Sequence, residues 1–252
     1  MVRLNLLAAL QFLTRVPIRL RREPSLPAAA PWFPMAGAII GFAVGAVAAG
    51  MWHLVTPMVA AAVAIVVGLL ITGAFHEDGL ADIADAFGGG WTVERRREIM
   101  KDPRHGTYGV AALVSTVAVR IVALGSLPGP AVMFAAAVSA HVIGRASAVG
   151  LMLAGPTARH DGLGADYTRL LRRGTAVVGI AVGLAVTALA IGWWVAPVAA
   201  VGVVGAATVL VLARRKIGGI SGDVLGACEQ VVECTTLITI VALAGRHVLW
   251  WP

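Results

Sequence analysis

The chain has 252 residues, of which 59% are hydrophobic and only 13% charged, with a mean hydropathy of +0.87. Soluble domains carry roughly 25% charged residues, so the composition excludes an ordinary soluble domain and predicts one integral membrane domain over residues 1–252. A formal net charge of +7 would suit a nucleic-acid binder, but the basic residues are placed as topology signals, and no nucleic-acid partner is expected. Cys228 and Cys234 share one apolar run, fit neither a disulfide framework nor a metal-ligand spacing, and read as packing residues.

In chain order, residues 1–31 hold an apolar run, Leu4 to Leu13, then basic residues and a hinge with Pro24, Pro27, Pro31 and Pro34. The run is too short to span and lacks a small-residue cleavage site, so it predicts an amphipathic, basic segment on the membrane surface. Seven apolar stretches follow, at about 33–54, 57–75, 109–127, 130–154, 174–193, 195–213 and 224–244. They predict an all-α, polytopic helix bundle with seven transmembrane helices. Gly37, Gly41 and Gly45 form a small-residue stripe that permits close helix packing. Trp32, Trp52, Trp193, Trp194, Trp250 and Trp251 fall near span ends, where indole favours the interface.

Loop charges set the expected orientation. Arg3, Arg15, Arg19, Arg21 and Arg22 precede the first span; Arg95, Arg96, Arg97, Lys101 and Arg104 lie between the second and third. Arg159, Arg169, Arg172 and Arg173 follow the fourth, and Arg214, Arg215 and Lys216 the sixth. The alternate connections are short and carry no Lys or Arg, so the amino terminus is expected in the cytoplasm and the carboxy terminus outside. The lipid bilayer is the expected surrounding, and the plasma (inner) membrane the expected location.

The chemistry concentrates between spans two and three, in a predicted cytoplasmic catalytic loop over residues 76–108. Asp78, Asp82 and Asp85 are spaced i, i+4, i+7, which places three carboxylates on one helical face. Such a cluster repels itself unless protonated or neutralised, and a hard divalent cation that bridges to phosphate is its natural partner. Glu77 stands about 100° around the helix. Gly88, Gly89 and Gly90 then permit either a phosphate-cradling turn or a plain loop. The run Lys101 to Gly109 offers Lys101 and Arg104 for phosphate charge and Asp102 as base or ligand, with His105 reading as a loop histidine.

Charges also occur inside the spans, where they are costly and face one another or a cavity. Arg120, His141, Arg145, Glu229 and Glu233 predict either Arg–Glu pairing across the bundle or a polar pocket open to the cytoplasm. Asp223, after a glycine-rich turn, joins Glu229 and Glu233 in a second acidic group. Two acidic groups, several cations and glycine turns suit displacement at phosphorus, where positioning and charge neutralisation do most of the work.

These residues resemble the cobalamin synthase family, the membrane-bound adenosylcobinamide-GDP ribazoletransferases. The resemblance rests on His76-Glu77-Asp78-Gly79-Leu80-Ala81-Asp82-Ile83-Ala84-Asp85, on Lys101-Asp102-Pro103-Arg104-His105-Gly106-Thr107-Tyr108-Gly109, and on Gly218 to Ala227 with Glu229 and Glu233. Thr14-Arg15-Val16-Pro17 and Gly144-Arg145 also fit. Glu77 stands where an apolar residue is common, and Ala86 where glycine is usual. The resemblance implies that α-ribazole, or its 5′-phosphate, is joined to adenosylcobinamide-GDP with release of GMP, in a Mg²⁺-dependent step of vitamin B12 biosynthesis. It implies Mg²⁺ and diphosphate binding at Asp78, Asp82 and Asp85, and phosphate stabilisation by Lys101 and Arg104. Asp102, Asp223 or Glu229 would orient or deprotonate the acceptor, and Arg15, His76, Gly106, Arg145, Gly222 and Glu233 would contact substrate. Whether the protein is a homo-oligomer stays open.

Two rivals carry less of the pattern. A CDP-alcohol phosphotransferase also uses clustered aspartates, but its aspartates lie farther apart than Asp78, Asp82 and Asp85. A transporter would need polar groups on both membrane faces, and the outer connections are nearly bare of them.

Overall fold

The computed structural model describes residues 2–20, 25–155, 157–158 and 170–251. Arg21, Arg22, Pro24, Arg159 and Arg169 lie outside the described residues. The described chain is all α: α1 (Val2–Leu13), α2 (Leu26–Ala29), α3 (Phe33–Met51), α4 (Pro57–Thr72), α5 (Phe75–Gly89), α6 (Val93–Ile99), α7 (Thr107–Gly125), α8 (Pro130–Ala154), α9 (Arg173–Ile191), α10 (Val195–Ile217) and α11 (Gly222–Ala244).

Among the described residues, five stretches are long and apolar enough to cross a membrane: Leu26–Met51, Thr107–Gly125, Pro130–Ala154, Arg173–Ile217 and Gly222–Ala244. The 45-residue stretch Arg173–Ile217 breaks at Gly192, whose φ of +60° suits glycine, into α9 and α10, the two spans expected there. The expected span 57–75 differs. Its helix α4 has 16 residues, about 24 Å at 1.5 Å per residue, against roughly 30 Å of hydrocarbon. At Gly73 and Ala74, both with positive φ, the chain bends by 90° into α5. Ala74 in the left-handed region costs roughly 1–2 kcal/mol, which the packing of α5 must offset. α4 alone is thus shorter than the hydrocarbon is thick, and we read α5 as lying outside the spans.

α8 is the central post, with most of its residues buried. The glycine stripe of α3 seats against it. A Cβ on Gly41 would stand 2.8 Å from the Val138 Cα, and one on Gly45 2.9 Å from the Phe134 carbonyl oxygen. The small residues thus bring the two backbones together, as the sequence predicts. α11 packs on the other side of α8 and also against α5, where Gly79 meets the Asp223 backbone and Gly226 meets that of His76. One end of the bundle therefore gathers the start of α11, the start of α7, and α5 with α6; it is the polar end.

α6 is fastened there by its arginines. Arg96 and Arg97 donate to the carbonyls of Lys216 and Ile217 at the end of α10, and Lys216 donates to the Phe87 carbonyl. Those carbonyls lack helical partners, and cations suit a helix carboxy terminus. Residues whose sequence positions read as topology signals therefore also brace the connection.

Candidate active site

α5 carries acids on two faces, and the fold treats them differently. On its inward face Glu77 is buried and pairs with Arg120 of α7 at 2.9 Å. Arg120 also meets Glu233 of α11 at 3.3 Å. Arg145 of α8 contacts both Glu229 and Glu233, and His141 lies against Glu233. His76 is 3.6 Å from Glu229, and Gln230 donates to Glu229 at 2.8 Å. Every one of these side chains is buried. This is Arg–Glu pairing across the bundle, one of the two arrangements the sequence left open.

Among the described residues, only His141, Glu229 and Glu233 bring three ligand atoms of His, Cys, Asp or Glu within 4.8 Å of one another. The Arg145 guanidinium touches both glutamates and already stands in the place of a cation.

The outward face of α5 is different. Asp78 is two-thirds exposed and Asp82 only 16% exposed, and His105 stands between them, its ring nitrogens 3.5 Å and 3.6 Å from their carboxylates. Asp223 reaches the same corner from the first turn of α11, where Ser221 caps the helix and donates to the Asp223 carboxylate at 3.4 Å. No Lys or Arg pairs with Asp78, Asp82 or Asp223 among the described contacts. Burial, followed by the nearby charges of Asp223 and Asp78, pushes the Asp82 carboxyl up from 3.8 to about 6.

Asp85 has another task. Its buried carboxylate accepts from the backbone N–H of Gly106 at 2.6 Å and of Gly109 at 2.9 Å. It therefore caps α7 from 21 residues upstream and satisfies donors that no residue of α7 satisfies. A Cβ on Gly106 would stand 2.7 Å from the Asp85 carboxylate, so glycine is required by space. The three aspartates expected as one ligand set thus do not converge: Asp78 and Asp82 face outward with His105, and Asp85 holds the loop that presents His105.

The remaining expected residues are placed as follows. Asp102 and Arg104 pair at 2.9 Å and 2.8 Å on the surface, which holds the Asp102 carboxyl down at about 2. They border an open cleft of about 320 Å³, together with Asp85, Arg95, Thr107 and Tyr108. Lys101 is exposed nearby in the same loop. Arg15 is away from this group: its side chain packs over Gly73 at the α4–α5 bend, and its N–H donates to the Ile71 carbonyl. Gly222 is exposed beside Asp223, whereas His76, Arg145, Glu229 and Glu233 belong to the buried network. The glycine triplet packs: a Cβ on Gly88 would meet the Tyr108 ring at 2.6 Å, and Gly90 lies against Arg96. His105, read from sequence as a loop histidine, sits between two aspartates; its place in the motif from Lys101 to Gly109 was the available signal.

Comparison with known proteins matches residues 5–241 to the family described as cobalamin-5-phosphate synthase. A Bradyrhizobium diazoefficiens protein named adenosylcobinamide-GDP ribazoletransferase is 41% identical over 94% of this chain and 93% of its own length. Proteins of the same name from Ralstonia pickettii and Vibrio cholerae are 37% and 33% identical, each over at least 93% of both chains. No solved structure matches. The motifs that carry the resemblance are those that build the outward acidic corner, its capped loop and the buried network beneath it, and the chain belongs to the cobalamin-5-phosphate synthase family.

Proposed function

We propose that this transferase joins α-ribazole, or its 5′-phosphate, to adenosylcobinamide-GDP and releases GMP. A ribose hydroxyl oxygen of the acceptor forms the new bond to the phosphorus that carries the cobinamide, and the anhydride bond to GMP breaks. The hydroxyl proton passes to a carboxylate. The observation that supports this reading is the corner of Asp78, Asp82 and Asp223, three acids from two helices with no lysine or arginine paired to them among the described residues. Phosphoryl transfer between anions needs cationic charge at the reaction centre.

Mg²⁺ fits the donors of this corner: they are carboxylate oxygens, and burial together with the neighbouring charges of Asp223 and Asp78 raises Asp82 to about 6, a cost that a divalent cation would reduce. Asp78 and Asp82 would hold the ion, which when bound would neutralise charge on the diphosphate. Asp223 is the candidate to take the acceptor proton, because Glu229 is enclosed and paired with Arg145. Arg104 and Lys101, on the adjacent exposed loop, would attract the departing GMP. Asp85 acts through position, by fixing the start of α7 and with it His105. We place this face in the cytoplasm, since the described basic residues gather at the same end of the bundle.

The test is turnover by the purified protein in liposomes, supplied with adenosylcobinamide-GDP and α-ribazole, with Mg²⁺ or with excess chelator. The expected result is Mg²⁺-dependent formation of adenosylcobalamin with one GMP per product. Equal turnover in chelator would remove the metal from the proposal, and no joined product under any condition would overturn the activity.

A further inference from the structure

Helices α1, α3, α5, α8 and α11 enclose a second cavity, of about 60 Å³, that is separate from the open cleft. One water needs roughly 10–15 Å³ of such space, so the cavity has room for about four or five waters, close to the bulk of a fused bicyclic ring. Its walls include Phe12, Phe33 and Phe75 from three different helices. Phe12 stacks on Phe33 at 5.6 Å with 5° between planes, and meets Phe75 edge-on at 5.3 Å. Phe75 in turn meets the His76 ring at 5.2 Å and is 46% exposed.

The polar lining is sparse. It consists of His76 and Arg145, which are buried, and the Arg145 Nε and His76 Nδ1 atoms have no hydrogen-bond partner among the described residues. A buried N–H donor without an acceptor is uncommon, and a ligand acceptor placed there would satisfy it. Gly222 also lines the cavity and is followed by Asp223, so the cavity borders the acidic corner.

We propose that this cavity is the subsite for the base of α-ribazole, a reading that rests on the function proposed above. That base is a flat, fused ring with a single free acceptor nitrogen. Aromatic walls suit its faces, and one unpartnered donor at Arg145 suits its nitrogen. Guanine, the other base in the reaction, carries several donors and acceptors that these walls would leave unsatisfied. The ribose would then leave the cavity past Gly222 and bring its hydroxyls to Asp223.

The experiment compares wild type with Ala148→Leu, which fills the cavity from α8, and Phe75→Leu, which removes a partly exposed wall ring that meets Phe12 and His76. KM is measured for each substrate in turn, and α-ribazole binding is followed by calorimetric titration. Both variants should raise KM for α-ribazole about tenfold or more, while KM for adenosylcobinamide-GDP stays within about twofold. Equal rises in both constants, or a rise confined to adenosylcobinamide-GDP, would overturn the assignment. A wild type that makes no joined product defeats the activity instead. The titration then decides the cavity alone: binding to wild type that both variants weaken keeps the subsite, and any other pattern removes it.

Discussion

The two faces of α5 hold the same kinds of acid and have opposite fates. Glu77 points inward to Arg120, in a network where each glutamate meets an arginine or a histidine. Asp78 and Asp82, one and five residues later, point outward, and among the described residues their one basic neighbour is His105. Burying a charge is costly unless it is paired, so the inward group brings its own cations and serves the fold. The outward group bears a repulsion that the fold does not relieve. A carboxylate with no lysine or arginine beside it among the described residues is a candidate to receive a cation from elsewhere.

The largest way to break this contrast is to remove a cation from the inward network. Arg120→Met leaves Glu77 without its partner and should cost roughly 3–5 kcal/mol, read as a lower melting temperature in detergent. Adding Glu77→Leu should recover most of that loss, since an apolar pair often replaces a buried ion pair at little cost. A single variant as stable as wild type would show that the network does not hold α5.

On the outward face, the expected effect is on activity and not on the fold. Asp82→Asn should lower turnover about 100-fold or more, with no loss of melting temperature. The sign of the stability change follows from linkage. The folded Asp82 carboxyl titrates near 6 and its ordinary value is 3.8, so the folded state holds the proton more tightly. The stability this group contributes is present below its ordinary value and is lost as pH rises through about 6. Asp82→Asn should therefore melt slightly higher than wild type at pH 7.5, and the gap should close toward pH 4. A lower melting temperature at pH 7.5 would mean that Asp82 is a structural acid.

A finer probe is the neighbour. Asp223 is the charge that contributes most to the upward shift of Asp82, after burial. If ionised Asp82 is needed to take up the cation, Mg²⁺ binding to the wild type, followed by calorimetric titration, should weaken as pH drops through about 6. In Asp223→Asn the midpoint of that loss should move to lower pH. An unmoved midpoint would separate Asp223 from the corner.

The smallest effect belongs to the surface pair. Arg104→Ala should leave the melting temperature unchanged, since exposed ion pairs stabilise little. Its KM for adenosylcobinamide-GDP should rise by several-fold through lost phosphate attraction. An unchanged KM would assign Arg104 only to ordering its own loop through Asp102.

Much of this was legible in the chain itself. The apolar runs set the helices, and the glycine stripe of Gly37, Gly41 and Gly45 showed that α3 packs closely on a neighbour, because both signals are local and periodic; that the neighbour is α8 came from the fold. The i, i+4, i+7 spacing placed Asp78, Asp82 and Asp85 on one helical face. Spacing could not say what that face meets, and the cap that Asp85 makes on α7 depends on residues 21 and 24 positions away. Nor could it sort Arg15, which motif resemblance put with the substrate and the fold put at the bend over Gly73.

By itself, then, the sequence determined a helical membrane protein of the cobalamin-5-phosphate synthase family, and the segments that carry its charge. Hydropathy, small-residue periodicity and local motifs are properties of neighbouring residues, and they survive in one dimension. Only the tertiary structure decided which acids are neutralised within the protein and which are not. It also decided that Phe12, Phe33 and Phe75 close one cavity over Arg145. The physical reason is that charge pairing and cavity shape depend on distances between helices, and those are set when α5, α8 and α11 pack together.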